Sequence, residues 1–376
     1  MKALCWNGAG SVTCEKVPDP TLINPHDAIV RVILSSINGA DLYLLDGQIP
    51  SSKRGDIVGR EFIGEIVDKG RDVTKLKVGD RVVVSSVIGC GQCFHCAGGD
   101  FSLCDNTNAN EAELDSVFGF ATSGIFGYSQ AFGGYAGSHA QYVRVPFADL
   151  GCTPIPELLS HESALFVSDA FPTGFMAADM CEIQPGHVVA VWGAGGVGQM
   201  AIQSAFHLGA DRVIVIDKIP ERLKAAQLRS PVEVLNCNEV NVHEALKELT
   251  AGRGPDACID AVGMNGKAAD VLQQSILSCR KGGTISVVGV YGGNIDHFPM
   301  GAAMNKGLRF RMGQVHGARY NSRLIKMIET GEVDPSYLLT HTLSLREGAE
   351  AYKMFKAKSD NCLRVAFDPW LEPTLH

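Results

Sequence analysis

This 376-residue chain has no surplus of positive charge: 33 Lys and Arg face 41 Asp and Glu, a net charge of −8, which argues against a nucleic-acid partner. Internal repeats and low-complexity linkers are also missing, so neither a solenoid nor a tail-like segment is expected. Long hydrophobic runs are absent too. Ile183 to Ala210 contains no Asp, Glu, Lys or Arg, yet Pro185, Gln199, Gln203 and the glycines Gly193, Gly195, Gly196 and Gly198 interrupt it, so it is not read as a membrane span. No disulfide pattern emerges from Cys5, Cys14, Cys152, Cys181, Cys237, Cys258, Cys279 and Cys362. With no secretory signal in Met1-Lys2-Ala3-Leu4, a reducing, cytoplasmic setting is expected. The length suits two domains with ample cores, and 45% hydrophobic residues is ordinary for an enzyme in solution.

What is present begins with a phosphate loop. His187 to Trp192 reads as a short β-branched strand, followed by Gly193-Ala194-Gly195-Gly196-Val197-Gly198 and a helix from Gln199 to Leu208 that Gly209 ends. A second strand, Arg212 to Ile216, finishes at Asp217. Gly193 supplies the tight turn, Gly195 lets the backbone approach a pyrophosphate, Gly198 permits close packing, and the helix N-terminus faces the phosphates. Asp217 accepts both ribose hydroxyls and repels a 2′-phosphate, which favours NAD over NADP. Lys218 and Arg222 lie nearby. They read more readily as a solvated helix start than as phosphate ligands, although Arg222 stays a candidate for the cofactor.

Cys90, Cys93, Cys96 and Cys104 form a second signature, in a segment rich in glycine. Four thiolates at this spacing close a tetrahedral zinc shell with no open position, which makes one structural zinc site and not a catalytic one. Unrelated buried cysteines are the plainer alternative. From Asn106 to Ser138 the chain is rich in Gly and Ser and weakly periodic, and reads as long surface loops, a lid or a subunit contact.

Beyond these motifs, the chain resembles the zinc-type medium-chain dehydrogenases over nearly its whole length, and most closely their formaldehyde dehydrogenase-like branch. The resemblance is carried by Val78-Gly79-Asp80-Arg81-Val82, the four-cysteine lobe, Gly124-Ile125-Phe126-Gly127-Tyr128, Gly133-Gly134-Tyr135-Ala136-Gly137, Ser168-Asp169-Ala170-Phe171-Pro172-Thr173-Gly174 and Asp260-Ala261-Val262-Gly263. It implies an α/β protein: a GroES-like β-rich catalytic domain (residues 1–168 and 316–376) and a Rossmann domain with a doubly wound parallel sheet (169–315), with substrate between them. It also implies a homodimer or homotetramer acting on a small molecule, and aligns Arg364, in a stretch from Asn361 that otherwise reads as an ordinary strand, with a basic residue that reaches the pyrophosphate.

The chain departs from that family at one constellation. Where relatives carry a Cys-Gly-Ser-Asp-Leu-His type motif, the residues are Asn38-Gly39-Ala40-Asp41-Leu42-Tyr43; where they carry Gly-His-Glu-Phe, the residues are Gly59-Arg60-Glu61-Phe62. Asp169 matches the third catalytic ligand. A carboxamide oxygen is a weak zinc ligand, and a guanidinium has no lone pair to give. Asp169 and Glu61 are the anions expected to pair with Arg60. Arg60 then reads either as a plug, salt-bridged to Asp169 with a hydrogen bond from Asn38, or as a donor with Asn38 to a substrate oxygen. Tyr43 reads as a proton source or as a packed aromatic. The leading expectation is an NAD(P)-dependent reductase without catalytic zinc, acting on an activated C=C, C=N or C=O. The alternatives are an alcohol or aldehyde dehydrogenase using side chains in place of zinc, a nicotinamide-binding isomerase or cyclase without net redox change, and an inactive binding relative.

Overall fold

The computed structural model describes residues 1–263, 268–292 and 294–373, which fold into two compact units: Met1–Pro172 with Val315–His376, and Thr173–Gln314. Both chain ends build the first unit. Its main sheet runs Leu339–Ser344, Arg364–Asp368, Ala28–Ser36, Glu61–Lys69, Arg81–Val84, Cys152–Pro154, and Tyr142–Val145 also pairs with Ala28–Ser36. These segments are strands because β-branched residues fill them and one face is buried: Val30, Val32, Phe62, Ile66, Val82 and Val84 share one core. Each such side chain contributes about 1.5–3 kcal/mol when fully buried. Pairing sets Ser36 opposite Glu61 and Ala366 opposite Ser36, so three strands meet there, which brings Asn38 and Arg60, just outside two of them, and Arg364, the first residue of the third, to one end.

One glycine fixes the approach to that meeting point. Gly59 has φ +94°, and a Cβ there would stand 2.4 Å from Nδ1 of His139. The His139 ring cannot easily yield: it is fully buried, its Nδ1 is 2.7 Å from Ser35 Oγ, and Phe367 packs edge-on against it. Burial lowers the His139 pKa to about 3, so the ring is a neutral packing element.

The second unit is a fully parallel six-stranded sheet in the order Glu233–Asn236, Arg212–Asp217, Val188–Trp192, Ala257–Asp260, Thr284–Val287, Arg309–Met312. Strand order reverses beside Val188–Trp192, the position where doubly wound folds bind nucleotides. The helix after that strand is Gly196–His207, so it begins inside the glycine loop and not at Gln199 as the hydrophobic pattern suggested. The reason is steric: a Cβ at Gly198 would lie 1.7 Å from the Gly193 carbonyl oxygen, and only glycine lets the first turn close onto the strand.

Two further expectations are corrected. Asn361 is no strand residue: its φ is +52°, after Asp360 at +55°, and the strand starts only at Arg364. The segment from Asn106 to Ser138 is not all surface loop, since it holds the helix Glu111–Phe118 and buries Phe126 and Tyr128. Its glycines hid this packing from a periodicity argument. Among the described residues no helix is long and apolar enough to cross a membrane.

Gly59→Ala is expected to cost more than about 1 kcal/mol through the left-handed backbone alone, with overpacking against His139 adding about 1–3 kcal/mol. Urea unfolding of the purified variant measures it, and an unchanged midpoint would show that the imidazole can move aside.

Candidate active site

Asn38, Asp41, Arg60, Glu61, Tyr128, Asp169 and Arg364 all lie buried in the first unit. Asn38 leaves the strand Ala28–Ser36, and the short helix Asp41–Leu45 starts beside it. Within that turn Asn38 N donates to Asp41 Oδ2 at 2.8 Å, and Ala40 N donates to Asn38 Oδ1 at 3.0 Å. The amide end of Asn38 faces the other way, and its Nδ2 donates to Asp169 Oδ2. Ser86 Oγ donates to Asp169 Oδ1 at 2.5 Å. Arg60 Nη2 stands 3.7 Å from Asp169 Oδ2, and its guanidinium carbon lies 5.1 Å from the centre of the Tyr128 ring. Asp169 is therefore held first by the Asn38 amide and the Ser86 hydroxyl, with the Arg60 charge at longer range.

The electrostatics follow from burial. Desolvation works against the Arg60 charge, but Asp169, then Asp41, Tyr128 and Glu61, outweigh it and hold the guanidinium above its usual pKa. Burial raises Asp41 to about 6, with Arg60 and the Asn38 N–H pulling the other way. Tyr128 is pushed up to about 12, again by burial first, against the opposing pull of Arg60. Arg60 Nε, Asp41 Oδ1 and Tyr128 Oη have no hydrogen-bond partner among the described residues.

Glu61 does not serve as a main anion for Arg60. Neighbouring residues at a strand start project to opposite sides, so Glu61 accepts from Ala170 N at 2.7 Å and faces Arg364, whose Nη1 is 3.2 Å from its Oε2. That contact is an ion pair without hydrogen-bond alignment, since Glu61 Oε2 lacks a hydrogen-bond partner. Burial still raises Glu61 above the ordinary carboxylate range. Arg364, read as reaching the pyrophosphate, is buried, and its Nη1 donates to the Ile37 carbonyl at 2.5 Å. Tyr43 is buried on the helix Asp41–Leu45. Sequence reasoning missed Asp41, Tyr128 and Ser86. Asp41 carried a signal, an acid followed by Leu42, Leu44 and Leu45 on a helix with no exposed face; Tyr128 and Ser86 carried none.

The cysteine lobe brings Cys90, Cys93, Cys96 and Cys104 together with all sulfurs within 4.8 Å of one another; among the described residues no other group of three or more His, Cys, Asp or Glu is placed to hold a metal. Cys90–Cys96 and Cys93–Cys104 are both 3.9 Å apart, close to the ~3.8 Å edge of a tetrahedron with Zn–S bonds of about 2.3 Å. Backbone N–H groups of Gln92 and Cys93 point at Cys90 Sγ at 3.4 Å, and Cys90 N points at Cys104 Sγ at 3.3 Å, which suits thiolates better than thiols. The donor set fits one structural zinc.

In the second unit the glycine loop fits a dinucleotide. No side chain caps the helix Gly196–His207, so the N–H groups of its first turn are left for phosphate oxygens. Asp217 accepts Ala194 N at 2.7 Å and Ile219 N at 2.9 Å, which fixes its carboxylate beside the loop. Arg222 is more than a solvated helix start: it is half-buried, and a Cβ on Gly195 would stand 3.4 Å from its Nη1. Lys218 is exposed.

Two outcomes are expected. Protein purified without chelator should carry one zinc per chain by elemental analysis, and Cys96→Ser should lose it; retained zinc in that variant would relocate the site. Asp41 has a raised folded pKa of about 6, so the stability it contributes is present below its ordinary value of 3.8 and is lost as pH rises through about 6. Asp41→Asn should therefore gain on the wild type between about pH 4 and pH 7 in urea unfolding, and a difference independent of pH would refute the buried titration.

Comparison with known proteins agrees with this geometry. Residues 24–157 match the alcohol dehydrogenase GroES-like domain, and residues 196–330 match the zinc-binding dehydrogenase domain. The zinc-type alcohol dehydrogenase-like protein AdhB of Bacillus subtilis is 37% identical over 98% of this chain and 100% of its own. The alcohol dehydrogenase TADH from Thermus sp. ATN1 superposes with a TM-score of 0.87 at 33% identity, covering 98% of this chain and 99% of that one. Zinc-dependent alcohol dehydrogenase 2 from Streptococcus pneumonia superposes at 0.85 with 27% identity over the full length of both. With both domain types present and full-length relatives at this identity, the chain belongs to the zinc-type alcohol dehydrogenases of the medium-chain dehydrogenase/reductase superfamily and is an oxidoreductase.

Proposed function

We propose that this chain is an NAD(P)-dependent oxidoreductase that works without a catalytic zinc, adding hydride to an activated C=C, C=N or C=O of a small-molecule metabolite. The observation that carries this reading is Arg60, a permanent cation with no lone pair, standing 3.7 Å from Asp169 at a position that aligns with a metal ligand. Asn38 does not replace the missing donor. Its Oδ1 accepts from Ala40 N, and its Nδ2 is turned toward Asp169. These residues do not fit a catalytic zinc.

Without a metal, an alcohol has lost the means of reaching its alkoxide at neutral pH. An acceptor already polarised needs less: a positive charge where negative charge develops, and a proton. When bound, reduced nicotinamide supplies the hydride. Arg60 supplies the charge in a dry site where it counts for more than in water, and Asp169, Asn38 and Ser86 fix its surroundings. For the dinucleotide, Gly193, Gly195, Gly196, Val197 and Gly198 cradle the pyrophosphate, and Asp217 favours NAD over NADP by taking the ribose hydroxyls; Arg222, beside Gly195, is the group that would narrow that preference. The matching stretches from Gly124 to Gly137 support placement in the formaldehyde dehydrogenase-like branch. Exposed Met300, Met304 and Met312, on and beside the edge strand Arg309–Met312, support a homodimer or homotetramer, and the free cysteines fit a reducing, cytoplasmic setting.

The test is a rate comparison. NADH and NADPH consumption is followed with trans-2-hexenal, 2-methyl-1-pyrroline and benzaldehyde, against NAD reduction with primary alcohols. Reduction of at least one acceptor, faster with NADH, is expected; faster alcohol oxidation, or a second zinc per chain, would overturn the reading. Arg60→Ala should lower turnover by about 10²–10³ if Arg60 faces developing charge. A plug alone predicts instead a loss of about 3–5 kcal/mol of stability with the rate of the folded fraction kept.

A further inference from the structure

Three polar atoms around the altered constellation are buried without a hydrogen-bond partner among the described residues, and they come from three separate elements: Tyr128 Oη, Asp41 Oδ1 and Arg60 Nε. Leaving each unmade costs about 1–3 kcal/mol, so such a group persists where water or a ligand satisfies it in the working state. Arg60 and Tyr128 are in direct register, the guanidinium carbon 5.1 Å from the ring centre. The charges of Asp41 and Asp169 act on the same phenol. Tyr43, the proton source suggested by the motif, already interacts with its own surroundings.

We infer that Tyr128 is the catalytic residue that hands the proton to the reduced acceptor, and that Asp41 resupplies it through ordered water. The inference rests on the zinc-free reductase reading given above. The electrophilic carbon of the C=C, C=N or C=O receives hydride, the π pair moves to the far atom, and that atom takes the Tyr128 Oη proton. The phenolate left behind faces Arg60, whose charge stabilises it, and takes the carboxyl proton of Asp41, which is recharged from solvent. Burial suits each group to its part. Tyr128, pushed to about 12, keeps its proton until the acceptor atom becomes strongly basic. Asp41, near 6, is the readiest acid beside it. The charged and titratable groups facing this pair are Arg60, just before the strand Glu61–Lys69, Asp169, after the turn Phe166–Ser168, Arg364 from the last strand, and Tyr352 from the helix Gly348–Ala357, whose hydroxyl also lacks a hydrogen-bond partner among the described residues and feels the Asp41 charge.

Tyr128→Phe is the decisive variant, because it removes a hydroxyl that makes no hydrogen bond to the described protein and so should leave the fold intact. With NADH and the acceptor of the three that wild type reduces fastest, turnover should fall about ten- to a thousandfold, while NADH affinity by fluorescence and the melting temperature stay at wild-type values. Tyr43→Phe should keep most of the rate. Asp41→Asn should lower turnover most below about pH 6, where wild-type Asp41 holds the proton it hands on. Tyr128→Phe at the wild-type rate, or a rate loss matched by lost stability, would overturn the inference and leave the reductase reading in place. A wild-type enzyme that reduces none of the three acceptors would overturn the reductase reading itself, and the proton assignment with it.

Discussion

A buried guanidinium surrounded by carboxyl groups is the constraint on which this site depends. Arg60 cannot shed its charge, so burial obliges the fold to keep anions near it, and Asp169 and Asp41 meet that need. Burial makes Asp41 hold its proton to about pH 6 and makes Tyr128 a weaker acid, and the Arg60 charge offsets part of both shifts. The Arg60 charge therefore acts on Asp41 and Tyr128 together.

The scaffold that keeps Arg60 in place is the sheet behind it. Gly59 turns the chain against the immovable His139 ring, and the Ser36–Glu61 pairing then aims Arg60 and Glu61 at different partners. Glu61 is matched with Arg364 across the same strand ends. Asp169 arrives from elsewhere in the chain, after the turn Phe166–Ser168, and Ser168 anchors that turn by accepting from Phe62 N at 2.9 Å and donating to the Val84 carbonyl at 2.5 Å. The precision of the site thus derives from backbone pairing.

The cysteine lobe and the glycine loop carry two of the family's signatures. Four sulfurs at tetrahedral spacing still suit zinc, and the uncapped helix Gly196–His207 still suits phosphate.

The sequence by itself determined the family, the parallel nucleotide-binding sheet and the four-cysteine cluster, because each depends on residues close together in the chain with a fixed spacing. It also placed Arg60 beside Asp169 through the resemblance. Tertiary structure decided the rest. Glu61 went to Arg364 because strand pleating separates neighbouring side chains, and Asn38, not Arg60, became the closer partner of Asp169. Tyr128 and Asp41 entered the site only once the segment from Asn106 to Ser138 packed inward and the turn after Ile37 buried its acid. Spacing along a chain cannot reveal such meetings, since they depend on which polar atoms lose water together and which are left without a partner.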